Sequence, residues 1–486
     1  MKPAQPLDAA RLALLRERLR EQLADAPANG LLSITLDLGA GPAGWLKADL
    51  ARTQAAYWAR PQGGDYRLAL GQAMLFTTAG PARFSALQAA FAGLAPHWRH
   101  DDSERTGIVP AAHIGFAFAD DGADDLPNAR LTVPAILLQT RAGRSTATFS
   151  CAVRDGDAAL GRWLAELHEL NELHAAGLSG CLPIRPNALR RRAAPLADRA
   201  FLARTRAALA DIAAGKLEKI VLTRSVRFDA AAPIAIPPLL AALEHRHPEC
   251  TIYGIGEHGQ CLLGATPERL VALENGVARA DALAGTAWLG APATDARPGS
   301  LKLQDDKNSR EQQLVVDAVR AALAPLCLAL DPPQAPEIMQ LRELQHLRTC
   351  VAGRVRQNVG LFDLIARLHP TPAVGGTPGA AARQWLHSHG DRRESWYTGG
   401  IGWIDRDGDG EVAVVLRCAR IVGAQAELFA GAGIVAGSDP AQELAETEVK
   451  LGAMSDALRH ALPPMEFSSV GHRVAGNAPS EKTGTQ

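Results

Sequence analysis

Two glutamates and a lysine share one face of a predicted helix near the end of the chain. The segment GAGIVAGSDPAQELAETEVK, residues 431–450, contains Ser-Asp-Pro, a sequence that predicts a helix beginning near Pro440. At about 100° per residue, Glu443, Glu446 and Lys450 fall within a wedge of roughly 60°. Such a face could hold a metal or an anion, but an i,i+4 pair between Glu446 and Lys450 on a solvated face explains this segment equally well.

A Gly-Ala-Gly sequence comes just before this helix. Gly431, Ala432 and Gly433 follow the strand-like segment AELFA, and small residues there would leave backbone N–H groups open to an approaching anion. A lone Gly-x-Gly more often marks a bend, so this motif alone is weak.

Another glutamate lies on an apolar stripe. Glu311 has helical spacing with Leu314 and Val315, and a buried carboxylate needs a cation or a metal as a partner. The alternative is a first-turn glutamate favoured by the helix dipole, with Ser309 and Gln312 forming a capping box.

Several other polar residues lie in apolar surroundings. Arg417 alternates with apolar residues on one face of a predicted strand, where its permanent charge requires a carboxylate from the protein or from a ligand. Lys219 begins the apolar strand KIVLT and Glu268 lies in GATPERL; taken singly, each is explained as a charge at a strand end. His346, in LQHLRT, lacks the close spacing of a zinc site and alone indicates a structural histidine.

The composition limits the class of protein. Of the 486 residues, 47% are hydrophobic and 21% are charged, which is typical of a globular chain. A net charge of -1 gives no field that would attract nucleic acid or an anionic membrane. No apolar run approaches the roughly 18 residues needed to cross a bilayer. The 7 scattered cysteines contain no C-x-x-C pair, so we expect a reduced, cytoplasmic protein.

Strand and helix patterns interleave without a βαβ rhythm, which favours an α+β fold over a doubly wound sheet. Residues 1–190 have strand patterns and little recognisable chemistry, and a segment rich in Pro and Arg near their end suggests an internal boundary. Residues 198–462 contain every candidate above, and residues 463–486 are predicted to be a flexible tail. Asn275-Gly276 predicts a tight hairpin turn.

The order of the motifs is more specific than any one of them. Between about residues 200 and 460 the chain reads KIVLTR, GATPERL, ALAGT, SREQQLVVDAV, LHPTPAVGGTP, YTGGIGW, VVLRCARI and GAGIVAGSDPAQELAETEVK. This succession resembles the chorismate-utilising enzymes and, within them, the isochorismate synthases of salicylate and siderophore pathways. The resemblance implies one α+β unit in which large antiparallel β-sheets pack face to face with helices outside, so that the segment near 190 is internal to it.

The resemblance also implies a reaction and its catalytic groups. Isochorismate synthases add water at C2 of chorismate and expel the C4 hydroxyl. Lys219 resembles the base that activates the water, and Glu268 resembles the acid that protonates the departing hydroxyl. Glu311 and Glu446 resemble ligands of Mg²⁺, with Glu443 close by.

Other residues are implied to hold the substrate. The carboxylate of the enolpyruvyl side chain would meet Arg417, Tyr397 and backbone N–H groups of the Gly-Ala-Gly sequence, while His346 and the LAGT segment would shape the ring pocket. The implied substrate-binding residues are Ala284, Gly285, Thr286, His346, Tyr397, Arg417, Ala432, Gly433 and Lys450.

Two positions bear on the choice among members of the family. Ala284 replaces the lysine nucleophile of the aminodeoxychorismate synthases, which leaves water as the simplest nucleophile. Gln312 stands where many relatives have histidine after the metal-binding glutamate, a departure beside the metal ligand.

Salicylate synthases, which go on to eliminate pyruvate, share nearly all of the pocket and are the nearest alternative. Anthranilate synthase component I and a non-catalytic anion-binding relative rank below them. The resemblance suggests a monomer and leaves room for a separate isochorismate-pyruvate lyase downstream. The pathway served stays open between salicylate, a catechol siderophore and menaquinone.

Overall fold

The computed structural model describes most of the chain, in the ranges 7–40, 48–51, 54–121, 125–180, 189–288, 306–342 and 344–460. The tail predicted over 463–486 lies outside the described residues, as do the last two positions of the region predicted to end at 462.

Helices and strands alternate irregularly along the described chain. The strands are β1 (Leu31–Gly39), β2 (Ala55–Arg60), β3 (Asp65–Leu70), β4 (Met74–Thr78), β5 (Trp98–Asp101), β6 (Ala111–Phe116), β7 (Ala129–Val133), β8 (Ile136–Arg141), β9 (Arg144–Ala152), β10 (Leu189–Arg191), β11 (Lys219–Ala230), β12 (Thr251–Glu257), β13 (Gln260–Thr266), β14 (Arg269–Glu274), β15 (Val277–Trp288), β16 (Cys327–Leu330), β17 (Glu337–Gln340), β18 (Leu344–Val355), β19 (Gly376–Thr377), β20 (Gly400–Asp405), β21 (Gly410–Val414), β22 (Cys418–Val422) and β23 (Gln425–Val435). The helices are α1 (Ala9–Ala24), α2 (Arg83–Leu94), α3 (Gly156–Gly180), α4 (Pro195–Ala213), α5 (Ile236–Arg246), α6 (Asp306–Leu323), α7 (Leu361–Leu368), α8 (Gly379–Ser388) and α9 (Pro440–His460).

Two large sheets account for these strands. The first has 13 strands in the order β10-β11-β23-β22-β13-β12-β2-β3-β8-β9-β1-β5, with β19 paired to β11. The second has 10 strands in the order β16-β18-β15-β14-β21-β20-β6-β7-β4, with β17 paired to β18. Among the described strands every pairing is antiparallel except that of β1 with β5.

Each sheet combines strands from both parts of the chain. In the first sheet β2 pairs with β12, and in the second β6 pairs with β20. The segment near residue 190 forms β10, which continues the first sheet on β11. The backbone hydrogen bonds of the amino-terminal part are therefore completed by strands of the carboxy-terminal part.

The core has an inner layer between the sheets and outer layers under the helices. Trp58 and Tyr253 of the first sheet pack in one cluster with Ile401 and Ala413 of the second. On the outer faces, α1, α3, α5 and α9 cover the first sheet and α2, α6 and α7 cover the second. This arrangement confirms the predicted α+β fold with sheets packed face to face and helices outside.

Two features that were predicted from short sequence motifs are confirmed. Asn275 and Gly276, with φ of 51° and 73°, form the turn between β14 and β15, as the pair predicted. Helix α9 begins at Pro440, and Oδ1 of Asp439 accepts the N–H groups of Ala441 and Gln442.

The structure corrects the strand expected around Arg417. Strand β21 ends at Val414 in the second sheet, and β22 begins at Cys418 in the first. Arg417 therefore lies in the crossing between the sheets, with φ of 50°, a conformation that ends a strand. Alternation of apolar residues across this crossing resembled one continuous strand.

Among the helices in the described ranges, none combines the length and the apolar composition needed to cross a bilayer.

Candidate active site

Most of the predicted site residues line one cavity. It lies where β11, β15 and β23 meet α6 and α9. The predicted residues on its wall are Lys219, Glu268, Ala284, Gly285, Glu311, His346, Tyr397, Arg417, Gly433, Glu446 and Lys450. These side chains come from separate segments between residues 219 and 450.

The first pair in the cavity is Lys219 with Glu311. Lys219, at the start of β11, is only 1% exposed, and its Nζ donates to Oε1 of Glu311 at 2.8 Å. The contact holds the Lys219 side chain beside a carboxylate that lines the same cavity.

Gly433 makes room for this pair. A Cβ atom at position 433 would lie 2.8 Å from Oε1 of Glu311 and 3.1 Å from Cε of Lys219. Both distances are too short for ordinary van der Waals contact, so a side chain here would displace one of the two charged groups.

Glu268 is a buried acid on the same cavity wall. It is 3% exposed, and its Oε1 has no hydrogen-bond partner among the described residues. Burial, followed by the nearby charge of Asp281, raises the pKa of Glu268 to about 8, although Lys219 and Lys450 oppose the shift. The carboxyl group is thus protonated near neutral pH and can donate a proton.

The end of the cavity beside α9 contains the second lysine–glutamate pair. Lys450 Nζ contacts Oε1 of Glu446 at 2.6 Å and donates to the carbonyl of Gly431 at 3.0 Å. The side chains of Lys450 and Glu446 are 17% and 19% exposed. The i,i+4 pair considered for this helix does form, but it lines a cavity instead of a solvated face.

His346 and Arg417 form a hydrogen-bonded pair in the cavity. Nδ1 of His346 lies 3.0 Å from the carbonyl of Gly285, which can only accept, so Nδ1 carries the proton. Nε2 is then the acceptor for an N–H of Arg417 at 3.1 Å. Burial, then the charges of Arg417 and Lys450, lowers the pKa of His346 to about 3, so the ring is neutral and can orient the guanidinium.

In the Gly-Ala-Gly sequence, successive backbone N–H groups point to opposite edges of β23. Val221 and Thr223, which pair with Gly433 and Gly431, direct their own N–H groups away from β23, to Gly375 O and Asp391 Oδ2. In an antiparallel ladder, the N–H groups of Gly431 and Gly433 then point to the opposite edge of β23, on the side of the cavity.

The backbone N–H predicted for Ala432 points away from the cavity. Ala432 pairs with Leu222, between the two pairs just described, so its N–H points to β11. Its side chain is fully buried with Phe201, Leu222 and Ile434, beneath α4 and α8. Because side chains and backbone groups alternate along a strand, the residue between two cavity-facing glycines must face the other way.

Tyr397 occupies the wall beside Gly431. Its ring stacks on Phe429 with centroids 5.2 Å apart, and a Cβ atom at Gly431 would lie 3.4 Å from its hydroxyl. Burial raises the pKa of Tyr397, so the phenol stays protonated and can donate to an anion.

Besides Ala432, two predicted residues are not part of the described cavity lining. Glu443 is 2% exposed on the buried side of α9 and does not belong to the cavity lining that the described residues form. Thr286 lies in β15, but its side chain is outside what the structure describes.

Gln312, the residue after Glu311, attaches helix α6 to the second sheet by two hydrogen bonds. Its Nε2 donates to Ala282 O at 3.1 Å and to Thr349 Oγ1 at 3.0 Å, joining α6 to β15 and β18. Ser309 lies inside α6, which begins at Asp306, so the capping box considered for Ser309 and Gln312 is wrong. Helix α6 is instead fixed to the sheet by the residue next to Glu311.

The sequence interpretation missed a buried network behind the cavity. Arg393 donates to Val374 O at 2.6 Å, Thr398 Oγ1 at 2.8 Å and Val221 O at 2.9 Å, all three belonging to residues on the cavity wall. It also contacts Asp391, whose side chain is fully buried. The charged run DRRES just before Tyr397 was the available signal.

The chemistry of the carboxylates fits a hard divalent cation. Glu311 and Glu446 line the same cavity and offer the oxygen ligands that Mg²⁺ prefers. Within the described ranges, no three His, Cys, Asp or Glu side chains are grouped closely enough to hold a metal by themselves. Two protein carboxylates would therefore need further oxygen ligands from a substrate and from water.

Fold and cavity together define a class of enzyme. Two antiparallel sheets packed face to face enclose a buried acid, a buried lysine and cationic groups, an arrangement suited to acid–base chemistry on a small anion.

Comparison with known proteins gives the family. The family model for chorismate binding enzymes matches residues 18–459, and the chain belongs to this family. It is 37% identical over 300 residues to the salicylate biosynthesis isochorismate synthase of Pseudomonas aeruginosa, a match that covers 59% of this chain and 62% of the relative. It is also 37% identical over 242 residues to the isochorismate synthase MenF of Bacillus subtilis, covering 50% of this chain and 51% of that protein. The matched segments thus span between half and two thirds of these relatives.

Solved structures agree with the fold. MenF, the menaquinone-specific isochorismate synthase of Escherichia coli, has a TM-score of 0.73 and 25% identity, covering 92% of this chain and 98% of that one. Anthranilate synthase component I of Streptococcus pneumoniae has a TM-score of 0.63 at 20% identity, covering 81% and 92%, and so shares the fold.

Proposed function

We propose that this protein is an isochorismate synthase, which converts chorismate to isochorismate by adding water at C2 and expelling the C4 hydroxyl. The observation that carries the proposal is that one cavity wall contains both a buried lysine, Lys219, and a buried, protonated glutamate, Glu268. Curated relatives that match this chain are named isochorismate synthases, which supports the same reaction.

The two catalytic residues divide the proton transfers. Lys219, as an unprotonated amine, takes a proton from the water that bonds to C2. Glu268 donates its proton to the C4 hydroxyl, which leaves as water while the ring double bonds shift. One water enters and one leaves, so the reaction is an isomerisation that needs no other reactant.

The carboxylates prepare the site for this step. When bound, Mg²⁺ held by Glu311 and Glu446 would neutralise the ring carboxylate of the substrate. Glu311 also contacts Lys219, so a residue that would hold the metal positions the proposed base as well.

The opposite wall holds the second carboxylate of the substrate. Arg417 is oriented by His346, and the Tyr397 hydroxyl and the cavity-facing N–H groups of Gly431 and Gly433 complete a set of donors. Ala284 presents only a methyl group, so water rather than an amine is the nucleophile.

Product analysis tests the proposal. Purified protein would be incubated with chorismate and Mg²⁺ and the products separated by liquid chromatography. Isochorismate as the sole product supports the proposal; salicylate with pyruvate would identify a salicylate synthase, and no turnover would indicate an anion-binding relative. A cytoplasmic location, a monomeric state and a separate downstream lyase stay predictions from the sequence.

A further inference from the structure

The edge of β11 that faces away from β23 is only partly covered by other strands. Strand β19 pairs with Lys219 and Ile220, and β10 pairs with residues 228–230. Among the described strands, none pairs with residues 221–226 on that edge. Buried backbone N–H and C=O groups are nearly always hydrogen-bonded, so groups other than a strand must close this gap.

Three side chains close the gap. Arg393 donates to Val221 O at 2.9 Å, and Arg204 of α4 donates to Thr223 O at 2.8 Å. Asp391 accepts the N–H of Thr223 at 3.2 Å and its hydroxyl at 3.0 Å. Asp391 also contacts both arginines, at 3.1 Å for Arg204 and 3.3 Å for Arg393. This edge of β11 is therefore held by an Arg–Asp–Arg cluster.

Arg393 extends from this cluster to the cavity wall. Its Nη1 donates to Val374 O at 2.6 Å and to Thr398 Oγ1 at 2.8 Å. Val374, Thr398 and Val221 all belong to the described cavity lining. One guanidinium thus joins three separate segments of the wall from the side that faces away from the cavity.

The segment that contains Thr398 needs such support. Ser395 and Thr398 have φ of 53° and 60°, a left-handed conformation that residues other than glycine rarely adopt. Between them, Tyr397 lines the cavity. The Thr398 hydroxyl donates to Tyr397 O at 2.6 Å while it accepts from Arg393. Arg393 is therefore one hydrogen bond away from the backbone of Tyr397.

The plane of the Arg393 guanidinium is itself fixed. Its side chain is only 2% exposed, and its Cζ lies 3.7 Å from the centre of the Phe118 ring. Asp391, which is fully buried, contacts its Nε. A planar fork of donors can reach several acceptors at once in this position, whereas the single ammonium of a lysine cannot.

We propose that Arg393 is a positioning residue, which fixes the turn before β20 so that the hydroxyl of Tyr397 faces the cavity. The second part of the proposal rests on the proposed function. It is that loss of the guanidinium weakens chorismate binding, because Tyr397 no longer meets the carboxylate of the substrate in the correct position.

Hydrogen–deuterium exchange of the free protein tests the first part. The amides of Tyr397, Thr398 and Gly399 all donate to backbone carbonyls, so their exchange reports opening of the turn. Arg393→Lys keeps the positive charge beside Asp391 but loses the fork. We expect these three amides to exchange at least about tenfold faster in this variant.

The matched control is Arg204→Lys. Arg204 contacts Asp391 and Thr223, neither of which is part of the described cavity lining. This variant should therefore disturb the same cluster without changing exchange at residues 397–399. Both variants should first be shown to melt cooperatively. Equal acceleration at these amides in the two variants would mean a general loosening of the fold, and would overturn the proposal.

A second variant leaves the charged cluster intact. Thr398→Val removes only the hydroxyl that connects Arg393 to the carbonyl of Tyr397. It should also speed exchange of the Tyr397 amide, and it tests the proposal if Arg393→Lys does not fold. Wild-type exchange in both Thr398→Val and Arg393→Lys, or in Thr398→Val alone if Arg393→Lys is unfolded, would overturn the positioning role.

Steady-state kinetics test the second part. Arg393→Lys should raise KM for chorismate at least about tenfold and change kcat less than about threefold, since Tyr397 holds the substrate and transfers no proton. Arg204→Lys should keep the wild-type KM. If Arg393 acts through Tyr397, the double variant with Tyr397→Phe should have a KM no higher than the larger of the two single variants.

Two kinetic results would overturn the second part. One is an unchanged KM in Arg393→Lys, and the other is a double variant in which the two increases in KM multiply. Absence of turnover by the wild type would instead refute the proposed function. Exchange needs no substrate, so it decides the positioning role of Arg393 in that case as well.

Discussion

Nζ of Lys219 lies 2.8 Å from Oε1 of Glu311, although the two residues are 92 positions apart in the sequence. Lys219 is at the start of β11 in the first sheet, and Glu311 is in the first half of α6, which covers the second sheet. Their contact shows that the fold brings the proposed base and a proposed metal ligand together before any substrate binds. Most of the predictions below depend on this pair or on Glu268, the buried acid of the same cavity.

Removal of either proton-transfer group should nearly abolish turnover. Lys219→Ala and Glu268→Gln should each lower kcat by roughly 10² or more, because each removes one proton transfer from the reaction. Lys216→Ala is the matched control, since Lys216 is 70% exposed and pairs with Asp211 outside the cavity. Activity close to that of the wild type in either cavity variant would exclude that residue from the mechanism.

The activity should fall at high pH because of Glu268. Its pKa of about 8 belongs to the free protein, so kcat/KM should decrease with rising pH above about 8 as the acid loses its proton. The decrease should approach tenfold per pH unit. A pH profile measured between 6 and 10 that stays flat through about 9 would contradict the role of Glu268 as the acid.

The same carboxyl group should make stability depend on pH. Its folded pKa is raised above the unfolded value of 4.5, so the folded state binds the proton more tightly and loses stability as pH rises from about 4.5 through about 8. In the wild type the free energy of unfolding should fall by up to ~1.4 kcal/mol per pH unit inside that window. Glu268→Gln has no such carboxyl group and should not show this decrease. The Tm of the variant relative to the wild type should therefore rise between pH 5 and 8, and a constant difference would show that the group is not perturbed.

Gly433→Ala should separate Lys219 from Glu311. The added Cβ would lie 2.8 Å from Oε1 of Glu311, so the carboxylate must move. We expect kcat/KM to fall at least about tenfold while the Tm changes by only a few degrees, because the clash involves the ends of two side chains. Gly161→Ala, on the surface of α3 with nothing within 4 Å, is the control and should keep full activity. Equal activity of the two variants would show that the pair can shift without consequence.

Removal of the divalent ion should stop the reaction. Excess EDTA should abolish turnover and Mg²⁺ should restore it, since two carboxylates alone cannot neutralise the ring carboxylate. Glu311→Gln and Glu446→Gln should each raise the Mg²⁺ concentration needed for half-maximal activity by roughly tenfold or more. Glu218→Gln, an exposed neighbour of Lys219, should behave as the wild type. Full turnover in EDTA would remove the metal from the account.

The sequence predicted where turns and helices begin better than it predicted which way a group on a strand faces. Asn275-Gly276 and the cap before Pro440 are local signals, and both were read correctly because turn and cap chemistry depend on a few neighbouring residues. The backbone N–H of Ala432 was predicted to face the substrate with those of its neighbours, but alternation along the strand directs it to β11.

Long-range relationships were beyond what the sequence alone could give. The crossing at Arg417 between two sheets and the network of Arg393 depend on which strands become neighbours, and no local pattern specifies that. The motif order predicted which residues meet in the cavity, yet the hydrogen bond between His346 and Arg417 is visible only in the three-dimensional structure.

The central claim is that water, activated by Lys219, becomes the new hydroxyl at C2. A short incubation with chorismate and Mg²⁺ in ¹⁸O-labelled water, followed by mass spectrometry of the isochorismate, measures this directly. The account predicts one ¹⁸O atom per isochorismate molecule at early times, located on C2. Isochorismate that forms without the label would show that the C4 hydroxyl migrates within the substrate, and would contradict the mechanism.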